Sequence, residues 1–95
     1  MTDRPAIVPY FSYVDAKAAM AFLSDAFGLE RVQAYDDPEG RLVHGEMRHG
    51  NGVLMLGSVE TAPAKGSPGI YLVVEDVDAH HARAVAAGAE VVYPP

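Results

Sequence analysis

The chain contains one unit written twice, and this repetition limits its fold more than any other feature. From Tyr10 it reads YFSYVDAKAAMAFLSDAFGLERV and from Tyr71 it reads YLVVEDVDAHHARAVAAGAEVV, so that Tyr10 aligns with Tyr71, Asp15 with Asp76 and Ala18 with Ala79. Each copy runs strand, Asp cap, Ala-rich helix, Gly stop, strand. A βαβ unit that recurs about 60 residues later, with further strands between the copies, is the pattern of a duplicated βαβββ module. Such an architecture forms its functional surface between or across modules.

A chain of 95 residues buries only about 60–65% of its unfolded surface, so anything that covers its sheet adds to its stability. With 49% apolar and 21% charged residues the composition is that of a globular protein with a true core. The net charge of −6 repels nucleic-acid phosphates and anionic membrane surfaces. The lack of Cys removes disulfides, thiolate metal sites and Cys nucleophiles. The N-terminus MTDRPAIVPY has no apolar run of the signal-peptide kind, and no stretch approaches the ~18 apolar residues of a membrane span. The expectation is a cytoplasmic protein with no nucleic-acid or membrane partner.

Along the chain, Ile7 to Val14 has the β-branched and aromatic content of a strand, and Asp15 caps a helix from Ala16 to Phe27 that Gly28 ends. Ala19, Phe22, Leu23 and Ala26 form the apolar stripe of that helix. Strands follow at Glu30 to Asp36, Arg41 to His49 and Val53 to Gly57, joined by the turns Asp37-Pro38-Glu39-Gly40 and Gly50-Asn51. Ser58 to Pro68 has linker composition. A strand from Ile70 to Glu75, a helix from Asp76 to Ala87 stopped by Gly88, and a short strand from Glu90 to Tyr93 complete the reading. The fold class is thus α+β, a βαβββ module repeat whose second module is truncated to βαβ. The first module occupies residues 1–57, the linker 58–68 and the start of the second module 69–95.

Residues opposite each other in antiparallel strands share a face. With turns of even length, Arg31 pairs with Glu46, Gln33 with His44 and Tyr35 with Leu42; the second hairpin pairs Glu46 with Met55 and Arg48 with Val53. One face then collects Val32, Ala34, Val43, Gly45, Met47, Leu54 and Leu56 and packs under the helix. The other mixes Arg31, Gln33, Tyr35, His44, Glu46 and Met55, the composition of a wetted concave surface or ligand cleft. A slip of one residue inverts the assignment.

The segments VPYFSYVDAKAAMAFLSDAFGLE from Val8, GRLVHGEMRHGNGVLML from Gly40 and GIYLVVEDVDAHHARAVAAGAEVVYPP from Gly69 together resemble the vicinal oxygen chelate superfamily, the glyoxalase, bleomycin-resistance and extradiol-dioxygenase group, and most of all its PhnB-like branch. The resemblance implies paired βαβββ modules whose curved sheets enclose a cleft. It also implies a homodimer. Members that do metal chemistry place a His at the opening strand of each module and a carboxylate on the last strand of each. Those positions fall here on Val8, Gly69 and Met55, with the fourth beyond the last residue, and none of the three supplies a nitrogen or oxygen side-chain donor. No metal ligand and no cofactor is therefore expected at that site. The family pattern also continues past a segment like VVYPP with more strands, so the resemblance reads this chain as C-terminally incomplete and favours self-association, as a homodimer or strand-exchanged oligomer.

His44 and Glu46 lie two apart on one strand, opposite Gln33 and Arg31. One reading is a polar ligand cluster or a general acid/base pair, with Tyr10, Ser12 and Tyr71 lining the same cavity. The other is a plain Arg31–Glu46 ion pair on a solvated sheet. The adjacent His80 and His81 point about 100° apart on a helix and cannot share a metal as an i, i+4 pair does. Arg83 belongs to a solvated face, and Met20, Met47 and Met55 fill core or cleft. The expected ligand-binding residues are Tyr10, Ser12, Gln33, His44, Glu46, Met55 and Tyr71, with His44 and Glu46 the candidates for catalysis. The expected function is metal-independent binding or sequestration of a small molecule in a sheet-lined cleft. The alternative is a lyase, isomerase or dioxygenase of the same scaffold, with or without a divalent metal.

Overall fold

The computed structural model describes residues 5–64 and 69–94. Its elements run β1 (Tyr10–Tyr13), α1 (Ala16–Phe27), β2 (Glu30–Asp36), β3 (Leu42–His49), β4 (Gly52–Ser58) and α2 (Val77–Ala86). The strands form one sheet in the order β1-β4-β3-β2, with β1 parallel to β4 and both hairpins antiparallel. This is the βαβββ unit that the repeat anticipates.

Both helices begin and end where local chemistry dictates. The Asp15 carboxylate accepts the Ala18 N–H at 3.0 Å, and the Asp76 carboxylate accepts the Ala79 N–H at 3.0 Å, so each satisfies one otherwise orphaned donor of a first turn. Gly28 closes α1 in the left-handed conformation (φ 72°), which a side chain would strain. The buried stripe of α1 lies somewhat round from the expected one. Ala16, Met20 and Ala26 are sealed, while Ala19 and Leu23 are half-buried against them. Met20 settles above Gly45, between Leu42 and Leu56. Those residues with Met47, Leu54 and Leu29 form the core under α1.

The β3–β4 hairpin has the expected register, Glu46 opposite Met55 and Arg48 opposite Val53, because Gly50-Asn51 is a two-residue turn. The β2–β3 hairpin does not. Its loop spans residues 37–41, an odd number, with the Asp37 N–H donating to the Arg41 carbonyl at 2.8 Å and the Asp37 carboxylate accepting the N–H groups of Glu39 and Arg41. Asp36 therefore stands opposite Leu42, and a register shift at Val43 brings Tyr35 opposite His44 and Gln33 opposite Glu46. A second shift at Val32 puts Arg31 opposite Met47 rather than Glu46. The central residues keep their expected faces, whereas the ends exchange: Leu42 turns into the core, and Val43 and Val32 are turned out, 52% and 42% exposed.

The segments 70–75 and 90–93 carry no strand. Both have the right residues for one, but within the described chain neither finds a strand beside it, and an unpaired strand gains no ladder. Of the anticipated second module, α2 forms and packs on α1. The Arg83 guanidinium donates to the carbonyls of Asp25 (3.0 Å) and Ser24 (3.3 Å), binding the negative end of the α1 dipole, so it does more than face solvent. Arg83 and Phe22 occupy equivalent positions of the two copies. Arg83 lies over Gly28 at the end of α1, and Phe22 lies beside Gly88 at the end of α2. The sequence repeat is thus also a reciprocal packing of the two helices. Part of the linker, residues 65–68, lies outside the described residues; its start is displaced by one residue, since Ser58 still belongs to β4 and its hydroxyl accepts the Ala16 N–H at 3.2 Å.

Candidate functional site

Opposite α1, one line of side chains crosses the whole sheet. Tyr10 stands opposite Met55, Met55 opposite Glu46, and Glu46 opposite Gln33, one residue from each strand. Residues in register share a face, so four of the seven expected binding residues converge here. His44 joins them from β3. Its ring lies 6.1 Å from that of Tyr10 (interplanar 31°) and 6.3 Å from that of Tyr35 (28°), which places the imidazole between two phenols. The Tyr35 hydroxyl donates to the Gln33 side-chain oxygen at 2.6 Å and holds both residues in place.

The face combines accessible aromatic surface with a recessed acid. Tyr10 and Tyr35 are about half exposed, whereas Glu46 is 6% exposed, the one buried charged residue of the described chain. Arg31 does not pair with it, since Arg31 stands opposite Met47; across this hairpin, among the described residues, Arg48 and Glu30 form an exposed ion pair at 2.8 Å. Ser12 lies two residues beyond Tyr10 at the sheet edge, and both line a cavity of about 1120 Å³ between β1, Leu23 and Phe27 of α1, Ile70, Leu72 and His80. Tyr71 is not brought to this face. It is fully exposed and borders a smaller cavity of about 290 Å³ with Leu29, Met47 and Leu54. His80 stacks on Phe27 (6.0 Å, 20°), and His81 is half-buried beside it on α2. Burial pushes the Tyr13 phenol above its ordinary 10.0.

Two further residues help shape this face. Tyr35 belongs to the polar face by alternation with Gln33, although the sequence pattern does not single it out for binding. Gly57 ends the apolar strand expected from the sequence, and a glycine within such a strand signals close approach by another group. It is buried beneath the Tyr10 ring.

Val8 precedes β1 by two residues, Met55 stands opposite Tyr10, the first residue of β1, and Gly69 lies on the rim of the larger cavity. An aliphatic side chain, a thioether and a hydrogen offer no hard donor, so these residues do not fit the metal that the fold family uses at those positions. Among the described residues no three His, Asp or Glu side chains are grouped to hold one elsewhere.

The family model described as Glyoxalase/Bleomycin resistance protein/Dioxygenase superfamily matches residues 11–95. The chain belongs to this superfamily. TioX from Micromonospora sp. ML1 superposes with a TM-score of 0.69 at 28% identity, covering 95% of this chain and 75% of that one. Lactoylglutathione lyase from Agrobacterium tumefaciens shares the fold, with a TM-score of 0.52 at 24% identity over 94% of this chain and 75% of its own. Uncharacterized protein Mb0911c of Mycobacterium bovis is 34% identical across 94% of this chain. The same identity and coverage hold for Uncharacterized protein Rv0887c of Mycobacterium tuberculosis. The chain spans 66% and 59% of the length of these two relatives. Among the described residues no helix is long and apolar enough to cross a membrane.

Proposed function

We propose that this superfamily member, of the PhnB-like branch, binds or sequesters a small molecule on the sheet face opposite α1 without a metal at the family's coordinating positions. The observation that carries the reading is the Tyr10–Met55–Glu46–Gln33 line with His44 held between Tyr10 and Tyr35. Aromatic and thioether surface favours a flat apolar body, and the acidic balance of the chain favours one that carries positive charge. The protein acts in the cytoplasm as a homodimer or strand-exchanged oligomer. Support for self-association comes from the exposed apolar residues Ile7, Val73, Val92 and Tyr93 and from strand-like segments 70–75 and 90–93, which have no ladder among the described residues.

Calorimetric titration with 9-aminoacridine in the presence of EDTA tests the reading. Binding is expected in EDTA, weakened about 2- to 10-fold by His44→Ala and by Tyr35→Ala, the worth of one aromatic contact. Binding that requires added Zn²⁺ or Ni²⁺, or that ignores both substitutions, contradicts it. The burial of Glu46 two residues from His44 favours a second reading, a lyase, isomerase or dioxygenase of the same scaffold in which these two act as acid and base or a divalent metal is recruited elsewhere. Stoichiometric metal in the purified protein is the result that selects it.

A further inference from the structure

Gly57 is a buried residue of β4, the strand that separates Tyr10 on β1 from His44 on β3. A Cβ built there would run into the Tyr10 hydroxyl, lie 3.3 Å from its Cζ, and come within 2.6 Å of the Val43 carbonyl. The phenol of Tyr10 therefore reclines across β4 in space that only a glycine leaves open. That posture brings its ring to His44, and Tyr35 meets His44 from the far side. The result is a ledge of three rings that reaches from one sheet edge to the other, floored at its middle by bare backbone.

We propose that Gly57 sets the specificity of this face: by carrying no side chain it lets Tyr10 lie flat, so that the Tyr10–His44–Tyr35 ledge accepts a flat conjugated ring system. Any larger residue at 57 lifts Tyr10 and breaks the ledge into separate side chains. The inference rests on the binding reading above for its ligand, but the ledge itself does not depend on a ligand. The two can therefore fail separately.

The test has one readout for each. In the folded protein, the imidazole Cε1–H resonance of His44 reports the ring currents of its neighbours. Gly57→Ala is expected to move it in the same direction as Tyr10→Ala, and a resonance unmoved by Gly57→Ala overturns the proposal. 9-Aminoacridine is then titrated into the same variants. Gly57→Ala is expected to weaken binding about 2- to 10-fold. In a Tyr10→Ala background it is expected to add nothing, because both changes act through one ring. Additive losses overturn the proposal. Failure of the wild-type protein to bind the dye while His44 responds as stated removes the ligand reading and leaves the role of Gly57 standing. Should Gly57→Ala not fold, the double variant Gly57→Ala/Tyr10→Ala decides. Recovery of folding supports the clash with Tyr10, and continued failure assigns the requirement to the Val43 carbonyl and overturns it.

Discussion

The two copies of the repeat start with the same instructions and reach different structures. In each, an aspartate carboxylate accepts an N–H of the first turn at 3.0 Å and a positive-φ glycine follows the helix, so α1 and α2 form alike. Their opening strands do not. Tyr10–Tyr13 lies parallel to β4 and receives the Met55 and Val59 N–H groups on the carbonyls of Pro9 and Tyr13. Among the described residues, the equivalents from Tyr71 onward have no such neighbour; there the Val73 carbonyl is engaged by the His49 ring at 2.8 Å. A helix satisfies its backbone from within its own sequence, whereas a strand requires another strand to exist first.

Matched leucine substitutions give the widest separation between the copies. Leu56 is fully buried under Met20, and Leu72 only borders the same cluster. Leu56→Ala is expected to cost about 2–5 kcal/mol, and Leu72→Ala less than half as much, by urea denaturation. Equal losses would mean that the second copy is as much a part of the core as the first. The helix caps sharpen the contrast at smaller scale. Asp15→Ala and Asp76→Ala are each expected to cost about 1 kcal/mol of their own helix, but only Asp15→Ala should lower the cooperative thermal transition, because α1 covers the sheet.

The smallest effect concerns alkaline pH. Tyr13 is held above its ordinary 10.0 by burial, so below pH 10 both folded and unfolded chains keep the proton and its contribution is intact. Above pH 10 the unfolded chain ionises first, and stability falls as pH rises through the folded value. Tyr13→Phe is expected to flatten that loss in melting curves taken between pH 9 and 11. Its repeat partner, Val74, carries no ionisable group, which confines the effect to the first copy.

These contrasts also mark what the sequence could reveal. Asp15, Gly28, Asp76 and Gly88 announced both helices because caps and stops act within a few residues. Gly50-Asn51 announced the β3–β4 register for the same reason. The ends of the β2–β3 hairpin were hidden, because Arg41 joins the loop and the shifts at Val43 and Val32 answer to packing: they turn Leu42 inward beneath α1. Segments 70–75 and 90–93 have strand composition, which says nothing about whether a partner strand is present. The shared polar face was legible at its centre, Gln33, His44, Glu46 and Met55, where two successive shifts leave the faces as alternation sets them. Tyr71 stands apart from this face because its equivalence to Tyr10 holds for sequence and not for surroundings.

Backbone and side-chain NMR of the labelled protein, titrated with 9-aminoacridine in EDTA, measures the central claim directly. Shifts concentrated on Tyr10, Gln33, Tyr35, His44, Glu46 and Met55, with little change from residues 70–74, are the expected result. Shifts centred on residues 70–74 or on the α1 side of the sheet, or none until a divalent metal is added, would contradict it.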